Sequence, residues 1–109
     1  MQTKSTIKSL SALAHAGRLG LMRKLIQAGQ DGINAGDLAE FAKVGITTSS
    51  AQLQVLANAG LVQAERQSRH VIYRADYKAL GAMMQFLMQD CCQNRAEIFG
   101  NIDGECRAV

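Results

Sequence analysis

The chain contains no tryptophan and no proline, and aromatic residues make up only 5% of it. So few rings leave no platform on which bases could stack. The 48% hydrophobic content must instead be met by aliphatic side chains packed between helices. No repeat or low-complexity tract divides the chain. No apolar run approaches about 18 residues, and the opening MQTKSTIKSL has no apolar h-region. Neither a spanning helix nor a signal peptide is expected, and the expected location is the cytoplasm, with no membrane partner. Cysteine is scarce at three residues, an odd number. In a reducing compartment that argues for thiol or metal chemistry over a disulfide framework. A nucleophile–base–orienter set, a phosphate-binding glycine loop and a paired general acid and base are all missing, so no enzyme is expected.

What is present fits one domain of 109 residues, large enough for a core and small enough to gain from dimerisation. The net charge of +3 and a pI near 9.0 suit a nucleic-acid partner without requiring one.

The stretch from Ile33 to Val62 organises the rest. Asn34 is an N-cap residue type, and Asp37 three positions later makes a weak capping box. Leu38, Ala39 and Ala42 follow on one face. Gly45 is expected to supply a positive φ in a turn. Thr47 or Thr48 is then expected to cap a second helix, with Leu53, Leu56 and Ala59 pointing one way and Gly60 closing it. Its other face carries Thr47, Ser50, Gln54 and Asn58, flanked by Thr48, Ser49 and Gln52. Short uncharged hydrogen-bonding groups of this kind suit phosphate oxygens and base edges. The pattern is that of a helix-turn-helix, and equally that of a helical hairpin with a solvated face.

Upstream, Ile7, Leu10, Leu13 and Ala14 recur at helical spacing. A second segment places Leu19, Met22, Leu25 and Ile26 on one side, with Arg18, Arg23 and Lys24 elsewhere. Residues 29–32 read as a loop. After Gly60 the period changes: Leu61 to Arg66 and Val71 to Arg74 are strand-like around Gln67-Ser68-Arg69-His70. A hairpin there makes the winged form, with Arg66 and Arg69 placed to meet the minor groove or backbone. A last helix is expected from Ala75 to about Cys92, with Tyr77, Leu80, Met84, Leu87 and Cys91 forming a seam. Met83, Phe86 and Met88 widen that surface enough for both the chain's own core and a second copy. The expected fold is therefore mainly α with a small β-hairpin, a winged helix-turn-helix that is homodimeric through its terminal helices. Its expected boundaries are a DNA-binding and dimerisation domain over 5–92 and a tail over 93–109 that holds the third cysteine.

Ala12-Leu13-Ala14-His15-Ala16-Gly17-Arg18-Leu19, Gly36-Asp37-Leu38-Ala39, Ser50-Ala51-Gln52-Leu53-Gln54-Val55-Leu56, Ala59-Gly60-Leu61-Val62 and Val71-Ile72-Tyr73-Arg74 resemble, in that order, the ArsR-type winged-helix repressors. The resemblance implies a homodimeric repressor bound to operator DNA near its target genes and released by a metal, metalloid or thiol-active signal. Three places depart from the family's usual pattern. Ala16 stands where proline is frequent, Gln52 where histidine is frequent, and Gln67-Ser68 where an acidic residue and glycine are usual.

The family's subgroups differ in where the signal binds. Asn34-Ala35-Gly36-Asp37 carries no thiol, which excludes the subgroup with a Cys-x-Cys pair there. His15 and His70 lie outside the last helix, so a zinc site on that helix is not expected. His15 reads as a structural member of its turn and His70 as a wing residue. Cys91 and Cys92 resemble the C-terminal thiol pair of an arsenite-responsive subgroup, with Cys106 as the third ligand. An all-sulfur set suits a soft trivalent metalloid, arsenite first and antimonite second. Adjacent helix positions point about 100° apart, so both thiols reach one ion only where the helix frays. The helix C-terminus disfavours thiolates, and Arg95 offsets that. The same cysteines also fit a redox or persulfide sensor that pairs Cys91 or Cys92 with Cys106. A dimerisation module without DNA binding is the alternative of another class.

Overall fold

A computed structural model describes residues 2–89. The elements are α1 (Thr3–Leu13), α2 (Ala16–Ala28), a 3-10 turn (Gly29–Asp31), β1 (Ile33–Asn34), α3 (Ala35–Ala42), α4 (Ile46–Asn58), β2 (Val62–Gln67), β3 (His70–Ala75) and α5 (Tyr77–Met88). The core gathers Leu21, Met22 and Leu25 of α2, Leu38 of α3, Leu53 and Leu56 of α4, and Leu61 and Val62 leading into the sheet. Leu25, Leu38, Leu53, Leu56 and Leu61 are fully buried. Each contributes about 1.5–3 kcal/mol by leaving water.

Side chains start three of the helices. His15 Nδ1 accepts from the N–H groups of Gly17 and Arg18 at the head of α2. Asn34 Oδ1 accepts from Asp37 N at 2.8 Å and caps α3, while Asn34 Nδ2 donates to the Asp37 carboxylate at 3.0 Å and holds the capping side chain in place. Asp76 Oδ1 accepts from Ala79 N at 2.9 Å to open α5. Arg18 closes α1 by donating from Nε to Ala12 O at 2.6 Å and from its guanidinium to Ser11 O at 3.3 Å. The Tyr77 hydroxyl donates to Ile26 O at 2.8 Å and pins α5 to the last turn of α2.

The ends of α3 and α4 share one device. At α4, Gly60 adopts φ 81°, Gly60 N donates to Ala57 O, and Leu61 N donates to Leu56 O. This paired closure is the Schellman arrangement. At α3 the same two bonds run from Lys43 N to Glu40 O and from Val44 N to Ala39 O. The left-handed residue there is Lys43, at φ 58°. Gly45, expected to take the positive φ, is instead extended at φ −65° and forms the N-cap of α4. Thr47 and Thr48 therefore lie inside the helix and do not cap it. A lysine in the left-handed region is strained by about 1 kcal/mol. Lys43→Gly is expected to raise the melting temperature by a few degrees, which thermal unfolding followed by circular dichroism would measure.

The sheet has three antiparallel strands in the order β1-β3-β2. The hairpin was expected; β1 was not. It pairs Ile33 with Tyr73 and Asn34 with Ile72, so the start of α3 is bound to the base of the hairpin. Gln67 pairs with His70, leaving Ser68-Arg69 as a two-residue tip with Ser68 at φ 58°. The last helix, expected from Ala75 to about Cys92, starts at Tyr77 and ends at Met88, where Gln89 turns extended. Cys91, Cys92, Cys106 and the expected tail over 93–109 lie outside the described residues.

α1 is turned against its composition. It buries Thr6, Ser9 and Ala12 while Ile7 stays 61% and Leu10 41% exposed. Among the described residues no helix is long and apolar enough to cross a membrane. Helices α2, α3 and α4 with a β-hairpin beside them make a winged helix-turn-helix.

Candidate nucleic-acid interface

α3, the turn at Lys43-Val44-Gly45 and α4 form the helix-turn-helix unit, and the phase of α4 decides what it presents. Leu53 and Leu56 fix its inner face. Four positions before Leu53 and seven before Leu56 lies Ser49, which is fully buried. Its hydroxyl donates to Ile46 O at 3.1 Å. Ser49, expected among the duplex-facing residues, is therefore inside the protein and out of reach of DNA. Gln52 also departs from expectation. It is half-buried, and its amide lies against the α1–α2 junction, so close that a Cβ on Gly17 would stand 2.7 Å from Nε2. Its buried Oε1 has no hydrogen-bond partner among the described residues.

Thr47, Thr48 and Gln54 are exposed, and Ser50 is half-buried. Ala51 and Asn58 are exposed with them, so the outward stripe runs Thr47, Ala51, Gln54, Asn58. Ala51 is not among the expected contacts because its side chain offers no hydrogen bond. The spacing, four residues from Thr47 and three from Gln54, was the available signal. Gln54 Nε2 donates to Asn58 Oδ1 at 2.9 Å. At the helix start, the first internal bond runs from Ser49 N to Gly45 O. The N–H groups of Ile46, Thr47 and Thr48 precede it, beside two threonine hydroxyls. That is a setting in which a phosphate oxygen is well received.

The wing supplies charge. Arg74 pairs with Glu65 at 2.6 Å and also donates from Nε to Gln30 O at 2.7 Å, which ties the hairpin to the 3-10 turn. The Arg74 guanidinium and the Gln67 amide hold the Glu65 carboxyl below the ordinary carboxylate range. Glu65 is thus occupied within the hairpin. Arg66 and Arg69 stand exposed near the tip with no carboxylate partner among the described residues. A basic tip beside an uncharged polar helix face can engage phosphates and base edges together.

Among the described residues no three His, Cys, Asp or Glu side chains gather to hold a metal ion. His15 is occupied as a helix cap, and His70 sits at the start of β3 beside the wing tip.

No protein-family model matches the chain, and no curated protein sequence matches it. Solved structures do resemble it. An ArsR-like transcriptional regulator from Rhodococcus sp. RHA1 is 21% identical, with a TM-score of 0.69 over 92% of this chain and 93% of that one. A homodimeric winged helix-turn-helix DNA-binding domain from Mycobacterium bovis, described as a possible ArsR-family regulator, is also 21% identical. Its TM-score is 0.67 over 97% of this chain and 89% of its own. The transcriptional repressor BigR from Xylella fastidiosa is 29% identical, with a TM-score of 0.58 over 80% of this chain and 87% of its own. The chain has the winged helix-turn-helix fold of these regulators.

Proposed function

We propose that the chain is a homodimeric ArsR-type transcriptional repressor that acts in the cytoplasm. In this reading it binds operator DNA through α4 and the wing, and it leaves the operator when trivalent arsenic binds Cys91, Cys92 and Cys106. The observation that carries DNA binding is the exposed, uncharged polar stripe of α4 set beside Arg66 and Arg69, whose charges no carboxylate among the described residues balances. Two copies are supported by α1, which buries serine and threonine while leaving isoleucine and leucine in water. Two-fold symmetric operators require two-fold symmetric proteins. The thiol assignment rests on the sequence: an all-sulfur set near the C-terminus suits a soft metalloid. Binding there would couple to operator affinity, and linkage requires DNA to weaken arsenite binding by the same factor.

Fluorescence anisotropy of the full chain on its upstream DNA, at several salt concentrations, tests the first part. Two arginines from each protomer predict a log–log salt slope of about −4. Titration with arsenite, antimonite and zinc tests the second. Arsenite is expected to release the wild type and to leave the triple Cys91→Ser, Cys92→Ser, Cys106→Ser variant bound. Release of the triple variant by arsenite would remove the sensor assignment. If arsenite has no effect but mild oxidant releases the protein with a two-hydrogen mass loss, the cysteines sense redox state instead.

A further inference from the structure

From Ile46 to Asn58, α4 carries no arginine, lysine, aspartate or glutamate. The commonest contact to guanine in the major groove, paired donors from Arg or Lys to O6 and N7, is therefore absent from this helix, as is a carboxylate to accept from cytosine N4. Two exposed residues of the stripe can pair with a base edge at two points, Gln54 and Asn58; of these Gln54 lies nearer the helix start, where recognition helices meet base edges. The Gln54 amide matches adenine, with the oxygen accepting from N6 and the nitrogen donating to N7.

That match depends on which end of the amide is which, because an amide turned over would set donor against donor. Gln54 Nε2 donates to Asn58 Oδ1 at 2.9 Å, one turn further on. An amide nitrogen has two hydrogens and the amide oxygen two lone pairs. The bond to Asn58 uses one hydrogen and leaves the other, together with the oxygen, available on an exposed side chain. Asn58 accordingly acts as a positioning residue. On the same stripe, Ala51 and Thr47 put methyl groups three and seven residues before Gln54, and methyl groups suit the C5-methyl of thymine.

We propose that α4 reads A·T pairs, with Gln54, oriented by Asn58, specifying one adenine in each operator half-site and thymines beside it. The proposal rests on the DNA-binding reading above and names what that helix recognises. The wing points the same way. A·T tracts narrow the minor groove and concentrate negative potential there, which draws exposed arginines such as Arg66 and Arg69.

The test selects half-sites from a randomised duplex library with the full chain. The selected site and its single-pair variants are then measured against wild type, Gln54→Ala and Asn58→Ala by anisotropy. The reading is the ratio of affinities for A·T over G·C at the selected position. Wild type is expected to discriminate about 10- to 100-fold there and Gln54→Ala less than about 2-fold. Asn58→Ala should fall between them. Asn58→Asp, which keeps the acceptor, should restore the ratio even though its charge weakens binding everywhere. Both side chains are exposed, so neither substitution disturbs the core. A dominant G·C pair at the centre of the half-site overturns the proposal while leaving DNA binding intact, and so does discrimination that survives Gln54→Ala. Failure of the wild type to bind any duplex overturns the DNA-binding reading itself.

Discussion

Replacing Gly32 with alanine is expected to destabilise the fold by about 3–5 kcal/mol, a large share of what a domain of this size possesses. Two effects combine. Gly32 adopts φ 72°, where any side chain is strained. A Cβ there would also lie 2.6 Å from Tyr73 O and 2.8 Å from Arg74 Cγ and Ile72 Cγ2. A flexible side chain would yield, but Tyr73 O belongs to β3, the central strand, bonded on both sides. Relief therefore requires β1 to lift away from the hairpin. Gly20→Ala provides the contrast. Outside the backbone of its own helix, no atom of the described residues lies within 4 Å of a Cβ at Gly20, inside α2, so alanine there is expected to stabilise by about 0.5–1 kcal/mol. Urea unfolding of both variants reads the difference. Equal midpoints would mean that the chain does not pass so close to β3.

The position of Gly32 also bears on the candidate interface. The 3-10 turn and β1 join the start of α3 to the base of the wing through the Ile33–Tyr73 pairing and the Arg74–Gln30 bond. Opening that link loosens the wing from α3, so under the proposed DNA-binding role Gly32→Ala should lose affinity for DNA before it loses helix content.

The two-helix unit was legible because its signals are local. Asn34 caps within three residues, and Gly60 supplies the one backbone conformation that ends α4. β1 was not legible, since two residues display no periodicity and their pairing partner lies some forty positions away. The turn departs from expectation because glycine is the usual left-handed residue. Here two backbone bonds from Lys43 and Val44 override that preference and leave Gly45 to cap. Ser49 and Gln52 were placed outward by residue type, whereas helix phase governs. Ser49 stands at the same spacing from Leu53 and Leu56 as a core leucine would, and the sequence contained that phase. For α1 the limit is physical: apolar spacing marks a face that avoids water, and it does not say whether the protein's own core or a second chain covers that face.

That ambiguity underlies the second large effect. In the single chain, Ile7 and Leu10 on α1 and Met84 and Leu87 on α5 are each at least 41% exposed, and α1 packs beside α5. Ile7→Glu should leave the protomer folded, because 61% of that residue already faces solvent. In the proposed dimer it carries a carboxylate into the seam, with its two-fold copy nearby, and an unpaired charge costs several kcal/mol when buried. Light scattering is therefore expected to give half the wild-type mass, with the helical circular dichroism signal kept. Operator affinity should fall by about 100-fold or more, since the second half-site no longer profits from the first protomer's attachment. The salt slope should drop by about half, as only one pair of wing arginines remains on the duplex. A variant that keeps the dimer mass and wild-type affinity would show that this face is covered by something other than a second copy. The inward serine and threonine of α1 would then need another explanation.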